Sequence, residues 1–292
     1  MSEGAQRAAD EFVALRGLLF TLAYEMLGSA ADAEDVVQET WLRWSEVEHE
    51  QVRDPKAYLV RITTRQALNR HRSLARRRET YIGSWLPEPL ITRGDVADDV
   101  ALADSVSTAM LLVLETLGEV ERAVFVLREV FDVPYDEIAA AVDRSPATVR
   151  QIAHRARSHV QARRPRTTVS AAERDAVMER FMHAVGTGDL QSLLDVLSPD
   201  VVLHTDGGGH VQAALRPIVG VEKVLRFLAG VMPADVVVEP VQVNGEAGLA
   251  IRVAGALDAI GTARIEDGVV TELYVVRNPD KLARMEPVRL TR

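Results

Sequence analysis

The sequence predicts a multidomain protein in which two all-α helical domains, the second with a helix-turn-helix, are followed by an α+β domain. Apolar residues recur at helical spacing through the first part of the chain, whereas β-rich runs separated by turn residues dominate after residue 166. The length of 292 residues also exceeds what a single compact core usually covers. We expect domains at residues 1–80, 106–166 and 167–292, with a linker at 81–105.

The first domain is predicted to contain three helices. An apolar run at helical spacing ends at Gly28, where Ser29 and Asp32 form a capping-box pattern for the next helix. Asp54 and Pro55 then supply an N-cap and a first-position proline for a third helix. From about residue 81 to residue 104, glycines, prolines and aspartates follow one another without periodicity, which indicates the linker.

The second domain carries the clearest local signal, a helix-turn-helix between residues 133 and 161. A short helix is predicted at 135–142, a turn at Asp143-Arg144, and a longer helix opened by Ser145-Pro146. The inward face of the longer helix is predicted to consist of Val149, Ile152, Ala153, Ala156 and Val160. The outward face suits a DNA major groove, and the candidate contacts there are Ser145, Thr148, Arg150, Gln151, His154 and Arg155.

The third domain is predicted to place its helices on one side of a curved antiparallel sheet. Asp267-Gly268 is a strong hairpin signal between two of its strands. The predicted helices cover residues 171–185, 190–197 and 221–232, and the predicted strands cover 201–205, 236–243, 249–253, 261–265 and 269–275.

Charge is segregated along the chain, although its net charge is −9. Seven arginines and no acidic residue lie from Arg61 to Arg78, and the same holds from Arg144 to Arg166. One such stripe is as readily a solvated helix face as a binding surface, but two on separate helical units favour a nucleic-acid partner. The lack of cysteine excludes disulfides, thiolate metal sites and cysteine catalysis. With no export signal or membrane-length apolar run, we expect a cytoplasmic protein without membrane association, cofactor or metal.

A more specific motif, AEDVVQETWLRW at residues 33–44, resembles the core-polymerase-binding helix of sigma factors. The resemblance implies contact with the clamp helices of the polymerase large subunit. The candidate contacts are Asp35, Gln38, Glu39 and Leu42. From the helical pattern, the polar residues form an exposed edge, while Val36, Val37 and Leu42 suit inward packing.

The segment from Asp54 through the first arginine stripe resembles the promoter −10 element reader of extracytoplasmic-function (ECF) sigma factors. An arginine-lined groove with polar or aromatic groups suits an unstacked strand and a flipped base. The candidate −10 contacts are Lys56, Tyr58, Arg61, Asn69, Arg70 and Arg72. Many relatives carry Trp in place of Tyr58 and Asp in place of Asn69, which bears on base preference. The resemblance covers about residues 8–166, and the short linker favours the minimal, two-domain type.

Three further motifs resemble the SigJ-type subgroup, which carries a SnoaL-like cone domain of the nuclear transport factor 2 type. They are WLPEPL at 85–90, DGGG at 206–209 and NPDKL at 278–282. The resemblance implies that the extension modulates sigma activity and that the motifs lie close together. The candidate interdomain regulatory residues are Trp85, Pro87, Pro89, Asp206, His210, Asn278, Pro279, Asp280 and Lys281. His210 stands where Lys or Arg is usual, so its contact is predicted to depend on pH. Apolar residues stranded in the linker predict a contact with residues 278–282.

These motifs predict a sigma factor that binds core RNA polymerase and the −10 and −35 promoter elements and catalyses nothing itself. The alternative is a helix-turn-helix transcriptional regulator fused to a small-molecule-binding or enzymatic cone. An enzymatic cone needs an acid or base in its pocket, and the candidates are His183, His204, Asp206 and Tyr274. We interpret Asp206 with its glycines as a tight, exposed turn instead. The sequence does not decide whether the cone binds a small ligand.

Overall fold

The computed structural model describes residues 3–92, 102, 105–163, 169–231, 233, 235–283 and 285. The first helices are α1 (Glu3–Leu27), α2 (Ala30–Ser45) and α3 (Pro55–Arg78), with a 3₁₀ turn at His49–Gln51. Both predicted caps are present, because the Ser29 hydroxyl accepts the Asp32 N–H and the Asp54 carboxylate accepts the Ala57 N–H. These caps satisfy backbone donors that a helix start otherwise leaves unpaired.

A second helical unit follows the linker. It consists of α4 (Thr108–Glu115), α5 (Glu119–Phe125) with a π-helical turn at Val126–Val130, α6 (Tyr135–Val142) and α7 (Pro146–Gln161). The predicted helix-turn-helix is confirmed: Asp143 adopts a left-handed φ of 55° in the turn and Ser145 caps α7. All residues predicted for the inward face of α7 are buried. The apolar core is continuous from α1 to α7, so the two helical units pack against each other.

The last part of the chain forms the cone. Its elements are α8 (Ala171–Thr187), α9 (Leu190–Val196), β1 (Leu197–Asp206), β2 (Ile218–Val219), α10 (Val221–Val231), β3 (Val236–Val243), β4 (Glu246–Val253), β5 (Ala256–Glu266), β6 (Val269–Val276) and α11 (Pro279–Leu282). The sheet order is β2-β1-β6-β5-β4-β3, and α8, α9 and α10 pack on its inner face. Asp267-Gly268 joins β5 to β6 in the predicted hairpin.

The sheet is mixed, so the predicted antiparallel arrangement is wrong in one place. β1 runs parallel to β6, with Leu203 opposite Leu273, whereas β3 to β6 form an antiparallel meander. Parallel neighbours require a long connection, and the chain between these two strands supplies one through α10 and four further strands. The hydrophobic alternation of a strand is the same in both directions, which is why the pattern could not distinguish them.

Residues 81–92 form an extended segment that lies between the helices and the cone, and we call this the linker strap. Leu86 and Leu90 are buried, and Leu86 packs on Tyr274 and Val276 of the outer sheet face. Ile91 forms a β-bridge with Val243 at the end of the edge strand β3. The strap is therefore an integral layer of the fold. Except for residues 102 and 105, the rest of the predicted linker lies outside the described residues.

Candidate functional site

The outer face of α2 carries the candidate polymerase contacts. Asp35, Gln38 and Glu39 are exposed, as predicted. Leu42 is 61% exposed, so the inward packing predicted for it is wrong, whereas Val36 is buried. A helix turns about 100° per residue, which places Leu42 roughly 240° around the helix from Val36 and away from the core. A large apolar side chain thus stands in solvent beside three polar ones.

Arg70 of α3 is bound to the same helix. Its Nε donates to Asp32 at 2.6 Å, and its guanidinium also forms an ion pair with Asp35. The pKa of Arg70 is raised by these carboxylates against the opposing effect of burial. A candidate promoter contact and a candidate polymerase contact are therefore paired with each other.

The N-terminal half of α3 borders two grooves of about 620 and 430 Å³. Tyr58 and Arg61 line both grooves, and the Arg61 Cζ atom is 5.1 Å from the centre of the Tyr58 ring. Lys56 is exposed at the start of the helix, and Asn69 and Arg72 are exposed farther along it. The structure therefore distributes the candidate −10 contacts along α3 instead of gathering them in one pocket. The side chains of Arg76 and Arg77 lie outside the described ones.

Other arginines of α3 hold the second helical unit. The Arg65 guanidinium donates to the Ala140 carbonyl at 2.8 Å and approaches the Ala141 carbonyl at 3.4 Å, at the C-terminal end of α6. Arg72 pairs with Glu119 at 2.9 Å. Arginines of the first stripe, which was predicted to favour a nucleic-acid partner, thus also hold α3 against the helix-turn-helix unit.

A buried polar network lies at the same boundary. Arg122 is 1% exposed, pairs with Glu115 and donates to the Glu25 carbonyl at 2.7 Å. The Glu25 carboxyl accepts from Ser105 at 2.8 Å, and its Oε2 has no partner among the described residues. Burial raises the pKa of Glu25 to about 8, although Ser105 and Arg122 oppose the shift. The unpartnered oxygen agrees with a protonated carboxyl at neutral pH.

The outward face of α7 is open to solvent. Arg150, Gln151, His154 and Arg155 are exposed and Thr148 is half-buried. The Ser145 hydroxyl accepts the Thr148 N–H at 3.2 Å and contacts the Thr148 hydroxyl at 2.8 Å. The Ser145 hydroxyl therefore serves as the N-cap of α7. Within the second arginine stripe, Arg157 is bound to Glu129, and Arg164 and Arg166 lie outside the described residues.

The linker strap binds the start of α2 through Glu88, a residue that the sequence analysis did not select. The Glu88 carboxylate accepts from the Ser29 hydroxyl at 3.0 Å and from the N–H groups of Ala30 at 2.6 Å and Ala31 at 3.1 Å. The strap backbone adds a bond from the Tyr24 hydroxyl to the Glu88 carbonyl at 2.6 Å. An acid at a helix N-terminus satisfies free N–H groups and the helix dipole together.

Asp206, at the end of β1, binds the strap to the cone. Its carboxylate is fully buried and accepts from the Tyr81 hydroxyl at 2.5 Å, the Leu86 N–H at 2.9 Å, the Gly208 N–H at 3.0 Å and the Lys281 ammonium at 2.7 Å. Burial and this carboxylate raise the pKa of Tyr81. Burial lowers the pKa of Lys281, while Asp206 opposes that shift.

The exposed turn predicted for Asp206 is therefore wrong. The three glycines do make a turn, in which Gly209 is exposed, but the Asp206 side chain before it is buried under the strap. Gly208 has a φ of 64°, and a side chain there would collide with Asn278. The sequence pattern identified the glycine-rich turn correctly but could not show what covers it.

Lys281 confirms the predicted contact between the strap and residues 278–282. It donates to the Leu86 carbonyl, and its Nζ is 4.4 Å from the centre of the Trp85 ring. The Arg78 guanidinium stacks on the same ring at 3.8 Å. Asn278 caps α11 and donates to the Tyr81 hydroxyl at 2.8 Å.

The remaining candidate regulatory residues divide into buried and exposed ones. Pro87 and Pro89 are buried in the strap, whereas Pro279 is exposed at the start of α11. His210 and Asp280 are exposed and lie 3.3 Å apart. The pH dependence predicted for the His210 contact stays a prediction.

Asn244, in the turn between β3 and β4, is a second residue that the sequence analysis missed. Its amide donates to the Tyr24 hydroxyl and to the Val106 carbonyl at 2.7 Å each and accepts the Leu90 N–H at 2.8 Å. It joins α1, the strap and the cone. Asn244-Gly245 between two β-rich runs is a hairpin signal, so the sequence indicates the turn. It does not indicate which residues the Asn244 side chain contacts.

The cone encloses an almost wholly apolar cavity of about 80 Å³. Leu203 and Leu273 face it, whereas their neighbours His204 and Tyr274 stack on each other at 5.5 Å on the outer sheet face. His183 is exposed on α8. The acids and bases considered for an enzymatic pocket are thus not brought together in the cavity. The charged residues that line it are Arg277 and Asp258, which form an ion pair.

Two further observations apply to the described residues alone. They contain no cluster of three or more His, Asp or Glu side chains placed to hold a metal ion. None of their helices is both long enough and apolar enough to cross a bilayer.

Comparison with known proteins places this arrangement in a family. Sequence models match sigma-70 region 2 at residues 12–77, sigma-70 region 4 at 107–160 and a SnoaL-like domain at 178–284. The ECF RNA polymerase sigma factor SigJ of Mycobacterium tuberculosis is 37% identical over 291 residues, which cover 93% of this chain and 92% of SigJ. The chain belongs to the ECF RNA polymerase sigma factors.

Further relatives of this sigma factor agree with that assignment. The probable ECF RNA polymerase sigma factor SigI of M. tuberculosis is 35% identical over 277 residues, 94% of this chain and 93% of SigI. The crystal structure of SigJ matches with a TM-score of 0.76 at 35% identity and covers 95% of this chain and 99% of SigJ. The protein is an RNA polymerase sigma factor with a fused SnoaL-like domain, so the alternative of an ordinary helix-turn-helix regulator is wrong. These relatives favour a non-enzymatic protein.

Proposed function

We propose that this sigma factor binds core RNA polymerase through the outer face of α2. The contacts are Asp35, Gln38, Glu39 and Leu42. Support comes from the match of this segment to sigma-70 region 2 and from its geometry: Leu42 is exposed and lies three and four residues after Glu39 and Gln38, on the same helix face. Leu42→Ala should weaken core binding by about fivefold or more, whereas Leu190→Ala should leave it unchanged. Leu190 is 58% exposed on the cone and is a matched control.

Promoter recognition is assigned to α3 and α7. The −10 contacts are Lys56, Tyr58, Arg61, Asn69, Arg70 and Arg72, and the −35 contacts are Ser145, Thr148, Arg150, Gln151, His154 and Arg155. The two elements lie roughly 85 Å apart along B-DNA, whereas Arg65 here ties α3 directly to α6. The helical units separate on the promoter, which breaks the buried bond from Arg122 to the Glu25 carbonyl and part of the shared apolar core. The exposed ion pairs between the units add only about 0–1 kcal/mol each.

The fused cone modulates these activities through the linker strap, within domains bounded at about residues 80, 105 and 166. One observation carries this proposal: the same strap caps α2 through Glu88 and is bound at Leu86 to Asp206 and Lys281 of the cone. A shift of the cone therefore changes the support of the helix that binds polymerase. The cone works without catalysis, a view supported by its apolar cavity and by His204 and Tyr274 on the opposite sheet face.

Run-off transcription with core polymerase tests the cone's part. The template carries the promoter that the wild-type holoenzyme selects from a randomised pool. Lys281→Met removes the charge that joins the strap to Asp206 and should change transcript yield severalfold, while Lys223→Met on α10 should not. Equal yields from all three proteins would refute modulation through the strap, and loss of all transcription by the wild type would refute the promoter-directing function itself.

A further inference from the structure

We propose that Tyr135 is a positioning residue that holds the Arg150 guanidinium ready for a guanine of the −35 element. The inference rests on the proposed role of α7 as the −35 reader. Tyr135 is the first residue of α6, and Arg150 lies in the N-terminal part of α7. The Arg150 Cζ atom is 5.5 Å from the centre of the Tyr135 ring, which is within cation–π range.

The Tyr135 ring is itself held in place. It is half-buried against the helical core, and the Arg128 Cζ atom lies 4.9 Å from its centre. Arg128 is committed to the loop before α6, because it donates to the Val133 carbonyl at 3.2 Å and pairs with Asp132 at 3.0 Å. The ring thus offers a fixed platform to a second arginine.

Arg150 differs from Arg157, its neighbour on α7, because its guanidinium is not paired with a carboxylate, and it differs from Arg155 because it stacks on the Tyr135 ring. It is exposed and forms no ion pair within the part of the chain that the structure describes. Arg157, two turns along α7, is bound to Glu129 by bonds of 3.1 and 2.6 Å. A cation that is held in place but unpaired is available to an incoming acceptor.

Stacking on the ring favours binding because arginine carries large rotamer entropy, part of which is lost when it contacts a base. A guanidinium already restrained on an aromatic ring loses less of that freedom when DNA arrives. Its outer N–H groups remain free to donate in pairs to O6 and N7 of guanine, the base whose major-groove edge presents two acceptors. The geometry therefore points to a guanine opposite Arg150.

The test uses the full-length protein with core polymerase and a duplex carrying the −35 sequence that this wild-type holoenzyme selects from a randomised pool. Tyr135→Leu should weaken binding about two- to fivefold, as loss of an exposed cation–π contact implies, and Tyr135→Phe should stay close to wild type. Thermal unfolding of each variant reports on folding. Tyr135→Met replaces Tyr135→Leu if the latter lowers the melting temperature.

A double-mutant cycle separates positioning from a merely structural role. In an Arg150→Ala background, Tyr135→Leu should have no further effect. In an Arg155→Ala background it should keep its full effect, because Arg155 makes no cation–π contact with the ring among the described residues. Equal losses in both backgrounds, or an unchanged Tyr135→Leu protein, would overturn the positioning role. If Arg150→Ala alone binds like wild type, the −35 assignment of Arg150 fails first and the positioning role fails with it.

Discussion

Removal of the Asp206 carboxylate should undock the linker strap from the cone. Asp206 is fully buried and its partner Lys281 is 8% exposed, so Asp206→Ala leaves a buried ammonium without its counterion. Breaking a buried pair from one side costs about 3–5 kcal/mol. The Tyr81 hydroxyl and the Leu86 N–H also lose their acceptor. We therefore expect about 3–5 kcal/mol less free energy of unfolding for the cone and its strap.

The cost should depend on pH in a defined direction. Burial already lowers the pKa of Lys281, and removal of Asp206 takes away the group that opposes this shift. The folded variant then binds fewer protons at Lys281 than the unfolded chain, so its stability rises as pH increases between the folded and unfolded pKa values of that lysine. The deficit relative to wild type should be largest at neutral pH and shrink towards alkaline pH.

Urea unfolding followed by tryptophan fluorescence measures the loss, since Trp85 lies 4.4 Å from the Lys281 ammonium. Limited proteolysis within residues 81–92 reports on release of the strap. Lys281→Met added to Asp206→Ala should recover part of the loss, because no orphaned charge remains. A single variant within about 0.5 kcal/mol of wild type, or strictly additive effects of the two changes, would refute the reasoning.

Three further outcomes follow from the strap and the buried network. Glu88→Ala removes a shared cap of α2 and should lower the free energy of unfolding by about 1–3 kcal/mol, measured by urea unfolding; an unchanged midpoint would show that water replaces the carboxylate. Gly28→Ala should lower stability by about 1–2 kcal/mol, because φ is 66° and a Cβ would lie 2.8 Å from Trp85. Gly186→Ala, at an open helical site, is its control and should be neutral or stabilising. The raised pKa of Glu25, about 8, means that wild-type stability falls as pH rises from about 4.5 to 8; Glu25→Gln should lose this slope in thermal unfolding, and an identical slope would contradict a buried neutral carboxyl.

The sequence predicted most of the local structure because local structure depends on local chemistry. Ser29, Asp54 and Ser145 marked three helix starts, since a side-chain acceptor satisfies N–H groups only two or three residues ahead. Alternating and helical apolar patterns located the strands and the inward face of α7. No local pattern indicates the parallel pairing of β1 with β6, because strand pairing depends on contacts between segments that are far apart in the chain.

The same distinction between local and long-range interactions applies to the candidate site. The sequence by itself determined which side chains could serve polymerase and DNA, because motif spacing and acid-free arginine stripes are local properties. Only the tertiary structure decided which of them are engaged within the protein: Arg70 is held by Asp35, Asp206 is buried rather than exposed, and Glu88 caps α2 from the strap. Each of those contacts joins residues more than 30 positions apart, and no one-dimensional pattern encodes which distant charges meet when the chain buries its apolar faces.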